Sequence, residues 1–115
     1  MNENQFWASL EALIRSNKIT IDRSKGSCHP HFPENVYPLD YGFIDNTKSG
    51  DNAEVDIWIG SQKPASLNGV VCTLDGLKWD FEIKILLGCT EEEVEQVFRF
   101  HNSGSQSGIL VKKPG

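Results

Sequence analysis

Apolar and polar positions alternate along this chain with two different periods. Phe6, Leu10, Leu13 and Ile14, with Trp7 beside Phe6, recur every three to four residues, which predicts an amphipathic helix ending near Asn17. "KITID" (18–22) alternates with period two and reads as a strand, and the turn-rich "SKGSCHPHFPEN" (24–35) reads as a loop. Extended chain follows, then a turn at 48–52. A strand from Glu54 to Gly60 has Val55, Ile57 and Ile59 on one face and Glu54, Asp56 and Trp58 on the other. "QKPASLNG" (62–69) is a further loop and "VVCTL" (70–74) a further strand. In "LKWDFEIKILL" (77–87), Lys78, Asp80, Glu82 and Lys84 oppose Leu77, Trp79, Phe81, Ile83 and Ile85.

Thr90 and Glu93 form a capping-box pattern ahead of a second helix with Val94, Val97, Phe98 and His101 on its inner face. "SGSQSG" (103–108) is a turn and "ILVKK" a last strand. Several short strands flanked by two helices, without repeats, predict a mainly β or α+β fold: a small five-stranded OB-like barrel in one domain spanning residues 1–115.

Composition narrows the function. A net charge of −5 excludes a general nucleic-acid or anionic-membrane binder, leaving room only for a local basic pocket. Cys28, Cys72 and Cys89 are odd in number and lack any CxxC pair, which fits unpaired thiols in a reducing cytoplasm. Cys28, His29 and His31 form a local cluster without the second paired motif of a structural zinc site, and the histidines read as loop residues. The chain shows no leader and no apolar run near the ~20 residues that span a bilayer.

Acids are concentrated in "YPLDYGFIDNTKSGDNAEVDIW" (37–58): Asp40, Asp45, Asp51, Glu54 and Asp56. Turn chemistry accounts for several of them singly. It does not account for Glu54 and Asp56 on the polar side of one strand and Asp80 and Glu82 on that of another. If the strands are close, four carboxylates share one region, which is costly unless compensated. Two readings stand. In the first, a hard divalent cation, Mg²⁺ with Mn²⁺ as a substitute, compensates them; Lys25, Lys78, Lys84 and Arg23 hold phosphate; and Tyr37 and Tyr41 donate hydrogen bonds. In the second, the face is solvated and its charges form cross-strand ion pairs.

"YPLDYGFIDNT…GDNAEVDIWIG" resembles the "YPxNYGYIxxT…DGDPxDVxV" core of the soluble family I inorganic pyrophosphatases. "IDRSKGSCHP" resembles the "EIPKGSxxK" strand before it, and "VVCTLDGLKWDFEIKILLG" a later segment bearing two acids and a lysine. The likeness runs over roughly residues 19 to 88 and the helix at 91–102. It implies an OB-like barrel, Mg²⁺-dependent hydrolysis of inorganic pyrophosphate or a small phosphoanhydride, and metal-activated water. It further implies metal-binding roles for Asp51, Asp56, Asp80, Glu82 and Asp22, with Lys84 and Tyr41 on phosphate. Asp51, Asp56, Lys84 and Glu54 are the catalytic candidates; Lys25, Tyr37, Tyr41, Lys84 and Arg23 are the substrate-binding ones.

The chain departs from the family pattern in places. The middle acid of the triplet is Ala53, and Glu54 points to the opposite face unless a bulge intervenes. The second acid pair is closer together, a hairpin carrying an arginine is replaced by the loop 27–36, and the late Tyr-Lys pair is His101-Asn102. An impaired pyrophosphatase-like protein that binds metal and phosphate is therefore the alternative. Trp58, Trp79 and the amphipathic first helix predict a homo-oligomer. Relief of repulsion predicts that neutralising Asp56 raises metal-free stability.

Overall fold

In the computed structural model, which describes residues 3–115, the first helical pattern becomes α1 (Glu3–Ser16). Its buried anchor is Trp7 rather than Phe6, which is half exposed and meets the Trp7 ring edge-on. Trp7, with Leu10, Leu13 and Ile14, covers Ile44, Ile57, Val70 and Ile85 on one face of a sheet. These inward residues come from four different strands, so α1 holds the middle of the sheet together by apolar burial.

The strands are β1 (Ile19–Arg23), β2 (Asp40–Ile44), β3 (Val55–Ile59), β4 (Leu67–Asp75), β5 (Asp80–Leu87) and β6 (Gln106–Lys112). They form a six-stranded sheet in the order β1-β2-β3-β5-β4-β6, parallel only between β3 and β5. The fold is the OB-like type that the sequence predicts, but the sheet has six strands and stays open, with β1 and β6 as its edges. A Cβ at Gly42 would run into the Thr20 carbonyl, so glycine lets β2 approach β1 closely.

The opposite face is covered by α2 (Glu91–Phe100) and by the chain leading into β2. Thr90 caps α2: its hydroxyl accepts from Glu93 N–H, and the Glu93 carboxylate accepts from the Thr90 and Ser61 N–H groups. Val97 is fully buried, and Phe100, rather than the expected Phe98, packs with it against Tyr37, Leu39, Trp58, Val71 and Leu86. No described helix is long and apolar enough to cross a membrane.

The β4–β5 hairpin reverses the expected burial. Asp75 accepts from the Leu77 and Lys78 N–H groups at the tip, and Trp79 takes a left-handed φ of 57° to complete the turn. Leu77, Trp79, Phe81 and Ile83 stay exposed, whereas Lys84 on the polar row is 6% exposed. Ile85 of the same apolar row is packed in the cluster under α1 while Phe81 and Ile83 are not, so alternation separates the two faces without deciding which positions are covered.

Candidate functional site

Lys84 is the centre of the site. In the parallel register of β3 and β5 it lies opposite Asp56, and the β2–β3 register places Tyr41 beside Trp58 on the same face. Its Nζ donates to Asp56 Oδ2 at 2.6 Å, Glu82 Oε1 at 2.9 Å and the Tyr41 hydroxyl at 2.9 Å. An ammonium has three protons to give, so all of its donors are engaged. Burial alone would lower the Lys84 pKa. The charge of Asp56 and the hydrogen bonds from Nζ to Asp56 and Tyr41 outweigh it and hold the pKa above the ordinary lysine value. Burial pushes the Tyr41 pKa up, so the phenol stays protonated and can serve as a neutral donor.

This cluster separates two concave surfaces. On the α2 side, a cleft of about 660 Å³ is lined by Lys84, Tyr41, Tyr37, Lys78, His29 and His101 among others. On the α1 side, a groove of about 390 Å³ has an apolar floor that includes Leu10, Val70 and Ile85, with Asp51, Glu54, Asp56 and Glu82 along it. The lysine thus faces one surface while its two carboxylate partners line the other. The cleft sets Lys84, Lys78 and the two tyrosines together with the carboxylates of Glu34 and Asp75; the groove carries the carboxylates of Asp51, Glu54, Asp56 and Glu82.

The expected site residues divide accordingly. Asp56, Glu82, Lys84 and Tyr41 are brought together. Asp51 and Glu54 share the groove with them, but Asp51 is turned on its own loop, accepting from the Ser49 hydroxyl and from Ala53 N–H. Those bonds, that from Ser49 first, lower its pKa. Asp80 is an exposed residue opposite Asp75 where β5 begins, lining neither the cleft nor the groove. Asp22 lies on the edge strand, 3.7 Å from Arg23, and Arg23 pairs in register with Tyr41. Lys25 is exposed; its N–H donates to Asp40. Tyr37 is buried against Tyr41, Trp58 and Phe100, and its ring also stacks on His29.

Asp51, Asp56 and Asp80 are not gathered as the sequence leads one to expect. Among the described residues no three His, Cys, Asp or Glu side chains are arranged to hold a metal ion. The charge of Asp56 and Glu82 is instead offset by Lys84.

A buried pair escaped the sequence reading. Trp58 Nε1–H donates to His101 Nε2 at 3.0 Å, which leaves Nδ1 to donate to Gln106 Oε1 at 2.7 Å and fixes the neutral tautomer. Burial lowers the His101 pKa to about 4. Two hints were available: His101 on the expected inner face of the second helix, and Trp58, a large aromatic in a row otherwise made of Glu54 and Asp56.

An open, mixed sheet capped by two helices defines an OB-like fold, on which lysine, tyrosine and carboxylates meet at one partly buried point. The inorganic pyrophosphatase family model matches residues 11–75, more than half of the chain, and the chain belongs to that family. Its fold is similar to that of an inorganic pyrophosphatase from Neisseria gonorrhoeae, with a TM-score of 0.61 and 16% identity over 77% of each chain. It is also similar to the inorganic pyrophosphatase of Helicobacter pylori, with a TM-score of 0.56 and 17% identity over 82% of this chain and 81% of that one. At such identities the likeness is one of fold. No curated protein matches the chain at a significant level.

Proposed function

We propose that this protein hydrolyses inorganic pyrophosphate to two phosphates in the cleft beside Lys84, as a Mg²⁺-dependent cytoplasmic enzyme that assembles as a homo-oligomer. The observation that carries the reading is the buried ammonium held by Asp56, Glu82 and Tyr41 at the floor of a cleft, in a chain of the pyrophosphatase family.

The residues present do not form a closed cage for a cation. They fit one that keeps most of its waters and takes further ligands from substrate phosphate, with Asp56 and Glu82 as the nearest donors and Asp51 and Glu54 along the same groove. Mn²⁺ would serve the same donors. When bound, such a cation supplies positive charge against the phosphates and acidity to water.

The chain's own residues do the rest. Lys84 has no unengaged proton, so a phosphoryl oxygen must displace one partner; Glu82, the more exposed of the two carboxylates, is the one to yield. Lys84 and the Tyr41 hydroxyl then donate to oxygens that gain charge in the transition state. Water oxygen bonds to one phosphorus, the bridging P–O bond breaks, and the water proton ends on phosphate. Lys78, at the cleft rim, adds charge toward the second phosphate.

The alternative is a protein that binds pyrophosphate and metal without efficient turnover. Ala53 in place of an acid and the saturated Lys84 favour it. A phosphate-release assay over pyrophosphate, triphosphate and nucleotides with Mg²⁺ or Mn²⁺ separates the two. Release from pyrophosphate that is lost in Lys84→Met supports the enzyme; binding of pyrophosphate with no release from any substrate supports the alternative.

A further inference from the structure

The cleft beside Lys84 is larger than pyrophosphate requires. At about 660 Å³ it falls in the range of roughly 300–1,000 Å³ that encloses a drug-sized ligand, whereas pyrophosphate is only a pair of joined phosphates. Aromatic rings wall the remaining volume in a continuous row. Tyr41, which touches Lys84, lies 5.5 Å from Tyr37 between ring centroids. Tyr37 lies 6.5 Å from His29 with the planes 12° apart, and His29 lies 5.1 Å from Phe32. Exposure rises along the row, from the buried Lys84 and Tyr37 through the half-buried His29 to Phe32, which is 53% exposed.

An ordered loop holds the outer rings. His29 N–H donates to the Asn35 carbonyl and Asn35 N–H to the Phe32 carbonyl, each at 2.9 Å, and Cys28 bridges to Val36. His29 Nδ1 accepts from His31 N–H, so Nε2 carries the ring hydrogen and is a neutral donor. Residues 26–36 hold no lysine or arginine, and Glu34 is their single acid. Glu34 and Asn35 line the cleft with Phe32. Lys84 and Lys78, the lysines of the cleft, both come from the β4–β5 hairpin. Asp75 on that side is engaged by the Leu77 and Lys78 N–H groups and the Ser105 hydroxyl. The cleft thus has a lysine side and a side of rings, amide and carboxylate.

We propose that the loop side is a subsite for the nucleoside of a nucleoside diphosphate, with its base against Phe32 and His29 and its anhydride at Lys84. The inference rests on Lys84 as the phosphate site and names the substrate class which that site serves. A base is flat and stacks on aromatic faces, and the half-exposed Phe32 offers one within the cleft. Glu34, which repels a bare phosphate, accepts hydrogen bonds from ribose hydroxyls or a base amino group, and the Asn35 amide both donates and accepts. A prenyl chain on the diphosphate would instead lay hydrocarbon against Glu34 and Asn35. In the reaction, water oxygen bonds to the terminal phosphorus. The bridging oxygen leaves with its bonding pair on the nucleoside monophosphate, and the water proton ends on phosphate.

Phosphate release by the intact chain with Mg²⁺ tests it, with adenosine diphosphate compared against methyl diphosphate, which has the same anhydride and no nucleoside. The expected kcat/KM is about tenfold higher for adenosine diphosphate, the worth of one stacking contact. Phe32→Ala should remove that advantage and Phe32→Trp should keep it. Because a ratio is read, a general loss of folded protein does not imitate the effect. Pyrophosphate turnover with equal values for the two esters, or a preference that survives Phe32→Ala, overturns the subsite and leaves the pyrophosphatase reading standing. A preference for geranyl diphosphate over adenosine diphosphate also overturns it. If no substrate releases phosphate, the hydrolase reading fails and equilibrium titration decides the subsite. Adenosine diphosphate binding about tenfold tighter than methyl diphosphate, only while Phe32 is present, then supports it; equal binding, or none, overturns it.

Discussion

Lys84 Nζ and Asp56 Oδ2 lie 2.6 Å apart, so the acid that the sequence offers as a metal ligand is already neutralised by the lysine it offers as a phosphate ligand. The pair is asymmetric in burial: the lysine side chain is 7% exposed and the aspartate 27%. Breaking such a pair leaves one charge without its counter-ion in a partly desolvated site.

This geometry reverses the stability expectation for Asp56. Taken as one acid among several, its neutralisation would relieve repulsion; held by Lys84, it is the stronger of two counter-charges. Asp56→Asn should therefore lower the melting temperature of the metal-free protein, at a cost of about 1–3 kcal/mol in urea unfolding. It should also abolish phosphate release. A raised melting temperature would show that repulsion among Asp51, Glu54 and Glu82 outweighs the pair.

Lys84→Met should be more damaging to stability, because it leaves Asp56 and Glu82 facing each other without a cation. Partial solvation of both acids keeps the expected loss to about 2–4 kcal/mol. Added Mg²⁺ should restore part of that loss in the variant and raise the melting temperature less in the unmutated protein. Differential scanning fluorimetry with and without Mg²⁺ reads both.

His101 sets a pH dependence whose sign is fixed by its neutral, buried state. Its pKa falls from 6.5 to about 4 on folding, so between those values the unfolded chain binds the extra proton. Stability from this residue is complete above pH 6.5 and is lost as the pH falls toward 4, by up to about 3 kcal/mol. Asp51, Asp75 and Glu93, whose pKa values are also lowered, add slope of the same sign in the acid range. His101→Phe separates the contributions. It should lose about 1–3 kcal/mol at pH 7, where Trp58 N–H loses its acceptor, but show a flatter decline between pH 6.5 and 4. Guanidinium titrations at several pH values give the difference.

Asp45 tests the other side of the acidic stretch. Its Oδ1 accepts from the Thr20 hydroxyl at 2.9 Å, a bond that an asparagine carbonyl keeps. Asp45→Asn should change stability by no more than about 0.5 kcal/mol and leave phosphate release intact.

Much of this architecture was legible because local rules sufficed. The period of α1 and the reciprocal bonds of Thr90 and Glu93 follow from a few adjacent residues. That Lys84 shares one polar row of β5 with Glu82 follows from alternation alone. What the sequence could not supply was pairing across distance. The parallel β3–β5 register sets Lys84 against Asp56, and Trp58 meets His101 across 43 residues. Nor does alternation reveal that Ile85 is packed under α1 while Phe81 and Ile83 of the same row stay exposed.

Ala53 offers the sharpest test of the enzyme reading. Its N–H donates to Asp51 Oδ1 and its carbonyl accepts from Ser49, so the backbone here is already fixed in a turn beside the groove. The side chain is exposed, and a carboxylate added there meets no packing constraint. Ala53→Asp restores the acid that the family pattern has at this position and adds an oxygen donor next to Asp51. If the protein is a weakened pyrophosphatase, kcat should rise by about tenfold or more, which corresponds to about 1.4 kcal/mol off the barrier. Stability should move by less than about 0.5 kcal/mol, because the site is on the surface. Phosphate release measured with pyrophosphate and Mg²⁺ reads the outcome. If neither the unmutated protein nor Ala53→Asp releases phosphate from pyrophosphate, triphosphate or nucleotides with Mg²⁺ or Mn²⁺, the Lys84 cleft is a binding site, and its ligand is to be sought by equilibrium titration with pyrophosphate.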